Sequence, residues 1–325
     1  TTAVLVVQLG TPQAPQAGPV RRYLAEFLSD PRVIEIPRAI WLPILHGIIL
    51  RTRPAKSAAK YASIWTAEGS PLKVWTDKQS QLLGQALQAR GHHVATLYAM
   101  RYGNPSTQSV VQKMVDAGCQ KILFFPLYPQ FAGATSATAN DEFFRSLIKQ
   151  TWQPAARTVS PYFDRPDYIN ALATSIEKAY ETAELRPEVL VCSYHGVPKR
   201  YLMQGDPYHC QCQKTTRLLK ERLGWDDTEI VTTFQSKFGP EEWLQPYTVE
   251  EVARMAEKGQ KNIAVCAPAF SADCIETLEE INEEIKESFE HAGGEHFTYI
   301  PCLNDSKEHI ETLSNVISEN LQGWI

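Results

Sequence analysis

Short apolar runs alternate with longer amphipathic stretches from end to end of the 325-residue chain. Residues 3–8, 93–98, 121–126, 156–159, 189–193, 229–234, 262–266 and 298–300 are short, largely apolar and bounded by Gly, Pro or polar clusters, which predicts buried strands. Between them, at 76–90, 106–117, 168–184, 215–223, 249–257 and 275–291, apolar positions recur every three to four residues, which predicts helices. Continuous apolar strands separated by helices point to an α/β fold, with parallel sheets covered on both faces. Two pairs of segments repeat in the same order. Val4-Leu5-Val6-Val7-Gln8-Leu9-Gly10-Thr11-Pro12 resembles the stretch from Val189 to Pro198, and the stretch from Gln120 to Pro126 resembles that from Gln260 to Pro268. The repeat predicts two similar α/β lobes, residues 1–165 and 166–325, with the last helix packing back on the first lobe. Ligands in such sheets lie beyond the carboxyl ends of the strands, so a cleft between the lobes is the expected site.

Composition narrows the function classes. The 32 Lys/Arg against 37 Asp/Glu give a net charge of −5, which argues against a nucleic-acid binder, because that needs a basic face. An apolar fraction of 43% excludes wholesale disorder, and seven cysteines are too sparse for a disulfide scaffold. No stretch reaches the ~18–20 apolar residues of a membrane span. The best candidate, residues 39–50, is interrupted by Pro43, His46 and Gly47. No secretory leader pattern is visible, so the expected compartment is the cytoplasm. Neither G-x-G-x-x-G nor G-x-x-x-x-G-K-[ST] occurs, which disfavours a dinucleotide or ATP enzyme.

Charge is unevenly spread. Residues 273–290 hold eight acids and one lysine, whereas residues 1–72 hold eight basic and four acidic residues. On an ideal helical wheel the acids from Glu276 to Glu290 face one way, with Leu278, Ile281, Ile285 and Phe289 opposite. That pattern suits an ordinary solvated face; it also suits a carboxylate ladder that guides a cation or protons toward Glu276. The position of Glu276, just beyond a strand and equivalent to the His195 loop of the sister strand, favours the ladder. His195 itself ends a buried strand in Ser193-Tyr194-His195-Gly196-Val197-Pro198, a setting for proton transfer or metal ligation. His46, His92, His93, His291, His296 and His309 lie in amphipathic or polar stretches and read as surface residues. Cys119, Cys192, Cys266 and Cys302 read as small core residues. His209-Cys210-Gln211-Cys212 has no second ligand pair and is a weak metal signal.

These residues carry a family resemblance. Gln8-Leu9-Gly10-Thr11-Pro12, Glu68-Gly69-Ser70-Pro71-Leu72, Arg101-Tyr102-Gly103, Tyr128-Pro129-Gln130-Phe131, the His195 motif, Gly205-Asp206-Pro207-Tyr208, the stretch from Phe234 to Pro240 and Asp273-Cys274-Ile275-Glu276-Thr277-Leu278 closely resemble ferrochelatases. The likeness extends over almost the whole chain. It implies two Rossmann-like lobes with the active-site cleft between them, and insertion of Fe2+ into protoporphyrin IX with release of two protons, the terminal step of heme synthesis. By the same resemblance His195 and Glu276 are the catalytic and metal-facing pair. Leu9, Tyr61, Ser70, Arg101, Tyr102, Tyr128 and Trp243 line or border the porphyrin site, and Glu280 and Glu284 continue the acidic line outward. The family's helix here is widened into a π-type turn, which would alter the wheel.

The resemblance also bounds cofactors and partners. Iron is a substrate, so no cofactor is required. The cysteine-rich tail that supplies most ligands of the animal [2Fe-2S] cluster is absent, which leaves Cys210 and Cys212 as the only suggestive residues. Leu9 stands where coproporphyrin-using relatives carry an iron-ligating Tyr, so the resemblance is to the protoporphyrin-using type. Ile40, Trp41, Leu42, Ile44, Leu45 and Ile48 read either as a buried helix or as an apolar lip that receives the macrocycle and touches the inner-membrane surface. The expected partners are protoporphyrin IX, Fe2+, and the membrane surface or the preceding enzyme of heme synthesis. Two alternatives stand beside this reading, a chelatase for another tetrapyrrole and a two-lobed carrier of heme or metal.

Overall fold

The computed structural model describes all residues, Thr1–Ile325. Eight strands form: β1 (Thr2–Gly10), β2 (Ala95–Tyr102), β3 (Lys121–Pro126), β4 (Ala155–Thr158), β5 (Val189–His195), β6 (Ile230–Gln235), β7 (Asn262–Cys266) and β8 (His296–Tyr299). They make two four-stranded sheets of order β2-β1-β3-β4 and β6-β5-β7-β8. Every pairing is parallel. The repeated segments of the sequence therefore occupy equivalent places, β1 and β5 second in their sheets, β3 and β7 third. Each predicted strand is present within a few residues. The helices at Ala17–Leu28 and Thr138–Ile148 and the last helix, Lys307–Asn320, lie outside the six helical stretches read from periodicity.

The first compact unit comprises Thr1–Leu127, Ala132–Ser160 and Leu313–Ile325. Val4 to Val7 are fully buried, and Ile122 to Phe125 flank them in register. Gly10 ends β1 with φ +120°, and a Cβ there would lie 1.8 Å from the Tyr102 carbonyl oxygen, so only glycine fits. The C-terminal segment is fastened by Lys121 Nζ to the Trp324 carbonyl at 2.8 Å and by Arg90 to Asn315 at 2.8 Å. Residues 38–64 run helically as Arg38–Ile44, a π turn at Leu45–Ile49, and Leu50–Ile64. This segment is neither wholly buried nor wholly exposed. Trp41 and Leu45 turn inward, Trp41 donating to the Leu28 carbonyl at 2.7 Å, while Ile36, Ile40, Ile44 and Ile48 form an exposed stripe.

The second unit comprises Tyr128–Phe131 and Pro161–Thr312. Its core joins Val189, Val191, Ile263 and Val265 of the sheet to Ile281, Ile285 and Phe289. Cys192 and Cys266 are register partners on β5 and β7, buried with sulfurs 3.7 Å apart.

His309 corrects the surface reading of the histidines. It is fully buried, its Nδ1 donates to the Asn304 carbonyl at 2.8 Å, and Nε2 is sealed from water without a hydrogen-bond partner. The polar residues around it in the sequence mask a helix turn that faces the core. Burial pushes its basicity down to about 4, against an ordinary 6.5. The unfolded chain therefore takes up this proton first, and His309 lowers stability as pH falls below 6.5. Between about pH 7.5 and pH 5 the loss assigned to this group is about 2 kcal/mol. Asn mimics the Nδ1 donor and does not titrate, so urea unfolding of His309→Asn should show a pH dependence reduced by that amount. An undiminished slope would mean the imidazole is not held neutral.

Candidate functional site

Chemistry-bearing side chains of the second unit gather where β5 and β6 end. His195 is the last residue of β5 and the register partner of Gln235, the last of β6. The next residue, Gly196, donates its N–H to the Gln235 carbonyl at 2.8 Å. A Cβ on Gly196 would lie 2.7 Å from that carbonyl oxygen and 3.0 Å from the Trp243 ring, which closes the turn to any larger residue. Trp243 is buried against this turn, its ring centroid 6.4 Å from that of His195, and Phe270 stands equally far from the imidazole. Lys199 N–H to the Glu242 carbonyl and Leu244 N–H to the Val197 carbonyl, both 3.0 Å, hold the turn to the Trp243 segment.

The tautomer of His195 follows from its partner. Nδ1 lies 2.6 Å from the Gly196 carbonyl oxygen, which can only accept, so Nδ1 carries the hydrogen. In the neutral ring Nε2 then holds the lone pair, ready for a proton or a metal ion.

Glu276 opens a π-helical segment, Glu276–Ile285. This changes the wheel drawn for an ideal α-helix. Ile281, Ile285 and Phe289 do face the core, but Glu279 and Thr277 are buried with them, so the acidic face is not uniformly solvated. Glu276 and Glu280 are half-buried, and Glu283 and Glu284 are exposed. Gln235 reaches both half-buried acids, its Nε2 donating to the Glu276 carbonyl at 2.9 Å and to Glu280 Oε2 at 3.1 Å. Ser236 Oγ donates to the same Oε2 at 2.6 Å. Burial pushes the Glu280 carboxyl above its ordinary range; the Ser236 and Gln235 bonds and the His195 charge oppose this, and repulsion from Glu276 adds to it. Single residues of the sequence do not announce Gln235 or Ser236 as site residues. The available signal is their place directly after a strand that neighbours the His195 strand.

The first-unit residues have different settings. Tyr61 packs edge-on to Tyr23 and Trp65. The Ser70 hydroxyl is 2.6 Å from that of Thr11, and Leu9 is half-buried at the end of β1. Arg101 and Tyr102 both engage the buried carboxylate of Asp30, at 2.8 and 2.6 Å, and Arg101 also reaches Thr138 Oγ1 at 2.8 Å. Burial alone would raise the Asp30 carboxyl, but hydrogen bonds from Thr138, Tyr102 and the Arg32 N–H, with the Arg101 charge, bring it below its ordinary value. Tyr128, half-buried, belongs to the second unit. Cys210 is exposed while Cys212 is buried, so the two thiols do not share an environment. No three His, Cys, Asp or Glu side chains are grouped to hold a metal ion.

Comparison with known proteins gives a consistent result. The family model described as Ferrochelatase matches residues 1–321. A ferrochelatase of Rhodobacter capsulatus is 61% identical over 99% of this chain and 93% of its own length. One from Mesorhizobium japonicum is 53% identical over 99% and 92%. Among solved structures, SirB from Bacillus subtilis with Fe3+ superposes with a TM-score of 0.57 at 11% identity, covering 99% of this chain and 96% of that one. The cobalt complex of a Bacillus subtilis sirohydrochlorin chelatase gives 0.54 at 10%, covering 98% and 94%. At such identities these two show the fold.

The setting of Glu280 has a measurable consequence. Its carboxyl keeps a proton to higher pH when folded than in the unfolded chain, where the ordinary value is 4.5. As pH rises above that value the unfolded chain ionises first, so Glu280 lowers stability toward neutral pH. Glu280→Gln should therefore gain stability over the wild type in urea unfolding as pH rises above 4.5. A gap that shrinks as pH rises would mean that the fold accommodates the carboxylate better than water does.

Proposed function

The chain belongs to the ferrochelatase family, metal-inserting chelatases that put iron into a porphyrin on the path to heme, and on that premise we propose that His195 and Glu276 carry the insertion step. The observation behind this assignment is the His195 tautomer. An imidazole whose Nδ1–H is held by the Gly196 carbonyl presents a basic Nε2; the Glu280 carboxylate lies within electrostatic reach of the ring, and Glu276 within electrostatic reach of Glu280.

The reaction needs two things from the protein. A free-base porphyrin holds two inner N–H protons in a nearly flat ring, and iron cannot bond four nitrogens while they remain. Binding energy from apolar walls bends the ring so that the nitrogens tilt outward; strain of about 1–5 kcal/mol is within reach of remote binding. His195 Nε2 accepts a pyrrole proton. Glu276 supplies an oxygen donor to incoming Fe2+ or takes the second proton, and Glu280 and Glu284 continue the line from the half-buried end of the helix to its exposed end. Imidazole and carboxylate suit ferrous iron and also Zn2+ or Co2+. Each turnover consumes one Fe2+ and one porphyrin and releases two protons and heme.

Two finer readings belong to this proposal. Leu9, at the end of β1, has no donor atom to compete for iron, which supports protoporphyrin IX as the preferred porphyrin over coproporphyrin. The exposed stripe of Ile36, Ile40, Ile44 and Ile48 is followed by the exposed Arg51, Arg53 and Lys56. Apolar side chains beside cationic ones suit an anionic lipid surface. No helix is long and apolar enough to cross a membrane, so the contact proposed is peripheral.

Anaerobic iron insertion into protoporphyrin IX and coproporphyrin, followed by absorbance, tests the chemistry. His195→Ala and Glu276→Gln should each lower kcat/KM by roughly 100- to 10,000-fold, and Glu284→Gln only a few-fold. A folded His195 or Glu276 variant with near-normal turnover removes that residue from the mechanism. For the surface, replacing Ile40 and Ile48 by Ser should weaken binding to vesicles containing anionic lipid by about tenfold or more, with activity on detergent-dispersed porphyrin retained. Equal vesicle binding by wild type and variant would discard the membrane contact.

A further inference from the structure

Only two non-glycine residues of the chain have positive φ, Ser236 at 68° and Asn304 at 45°. Such a conformation is strained for most side chains and is retained where surrounding contacts demand it. Both residues hold a carboxylate of the acidic stretch from Asp273 to Glu280. Ser236 donates to Glu280 at 2.6 Å. Asn304 makes a two-pronged pair with Asp273. The Asp273 backbone N–H donates to Asn304 Oδ1 at 2.8 Å, and Asn304 Nδ2 donates to Asp273 Oδ2 at 2.7 Å.

Asp273 is buried, and donors converge on it. Thr277 Oγ1 reaches Oδ1 at 2.9 Å, the Tyr299 hydroxyl donates to the same oxygen, and the Cys302 N–H approaches it at 3.4 Å. Thr277 is one residue beyond Glu276, and its Oγ1 also accepts the Cys274 N–H at 3.0 Å. The bonds around Asp273 therefore bracket Glu276 from both sides in sequence. Asn304 is fixed in turn, its N–H donating to the Ser271 carbonyl at 3.2 Å and its own carbonyl accepting His309 Nδ1 at 2.8 Å.

We infer that Asn304 is a positioning residue for metal insertion. Through its pair with Asp273 it clamps the first turn of the π-helical segment and so fixes where Glu276 and Glu280 stand relative to His195. Tyr299 and His309 hold the clamp in place. The Asn304 carboxamide offers both a donor and an acceptor to the same aspartate, and Asn accepts the left-handed backbone found there more readily than most residues.

Asn304→Gly separates this role from an ordinary turn. Glycine adopts the same φ without strain, so a residue needed only for the turn could be replaced with no loss. A clamp would be lost. The full-length variant should show amide hydrogen exchange in residues 276–281 accelerated by about tenfold or more, with protection in β7 kept. Its kcat for Fe2+ insertion should fall by about tenfold while KM for protoporphyrin stays within about twofold, since a small misplacement acts on the chemical step. Tyr299→Phe, which removes one donor and keeps the ring, should show the same pattern to a smaller degree. Unchanged exchange in 276–281, or protection lost equally in β7, overturns the clamp. The kcat arm rests on the role proposed for Glu276. Accelerated exchange with unchanged kcat would also overturn the positioning role; if Glu276→Gln keeps normal turnover as well, it is the Glu276 assignment that has failed.

Discussion

A carboxylate half-removed from water beside a second carboxylate is costly, and the end of the second sheet is arranged around offsetting that cost. Glu280 receives Ser236 Oγ and Gln235 Nε2 on one oxygen, and His195 supplies a favourable charge when protonated. The offset is incomplete, because burial and Glu276 still leave the carboxyl easier to protonate than in water. An incomplete offset is useful for a reaction that must move protons away from a ring. A carboxylate fully satisfied by hydrogen bonds is a poor base; one left short of satisfaction holds a proton more readily and sits nearer the working pH. Asp273, a few residues earlier, is hydrogen-bonded more fully, with donors from four residues on its two oxygens. It anchors the start of the stretch, while Glu280 is left partly unsatisfied.

The duplicated architecture explains where the histidine sits. Gly10 ends β1 and Gly196 directly follows the equivalent strand β5, and each is pressed against a backbone carbonyl of the neighbouring strand's end, Tyr102 in one unit and Gln235 in the other. The residue before each glycine is therefore held at the same place in its sheet. In one unit it is Leu9 and in the other His195. The same tight turn supports an apolar surface in one copy and an oriented imidazole in the other. The Gly196 carbonyl adds what the imidazole needs, an acceptor that fixes the hydrogen on Nδ1. The polar residues at the ends of β2 and β6 diverge likewise. Arg101 and Tyr102 are tied to Asp30 inside the first unit, whereas Gln235 and Ser236 turn to the glutamates.

Much of this was legible in the sequence because buried parallel strands are written as unbroken apolar runs. Val4 to Val7 and Ile122 to Phe125 could hardly be anything else, and their echoes at Val189 and Ile263 carried the repeat. His195 and Glu276 stood out because each follows such a run. Periodicity failed where helices carry mixed faces. Residues 38–64 combine an inward Trp41 and Leu45 with an outward isoleucine stripe, so neither a buried nor an exposed reading described them fully. His309 was hidden by its polar neighbours Ser306, Lys307 and Glu308. The left-handed backbone of Asn304 and Ser236 could not be read, since such a conformation at a non-glycine residue depends on what the rest of the fold demands there.

The π-helical segment brings these threads together. Opening an α-helix by about one residue per turn loosens its own hydrogen bonds, and such segments are rare and frequent at functional sites. Here the loosened stretch runs through Glu276, Glu279, Glu280, Glu283 and Glu284, where like charges three and four apart already disfavour a regular helix. Repulsion and π geometry thus act in the same direction, and neither provides the stability that holds the segment down. That comes from Ile281, Ile285 and Phe289 packed on β5 and β7, and from polar grips near its start at Asp273, Glu276 and Glu280. An acidic helix built this way is anchored along its apolar side and at its first turn, while its far acids remain in solvent. The anchored start of the segment holds Glu276, proposed to meet iron, and its solvated part holds Glu284, proposed to lead toward it, with Glu280 gripped by Gln235 and Ser236 between them.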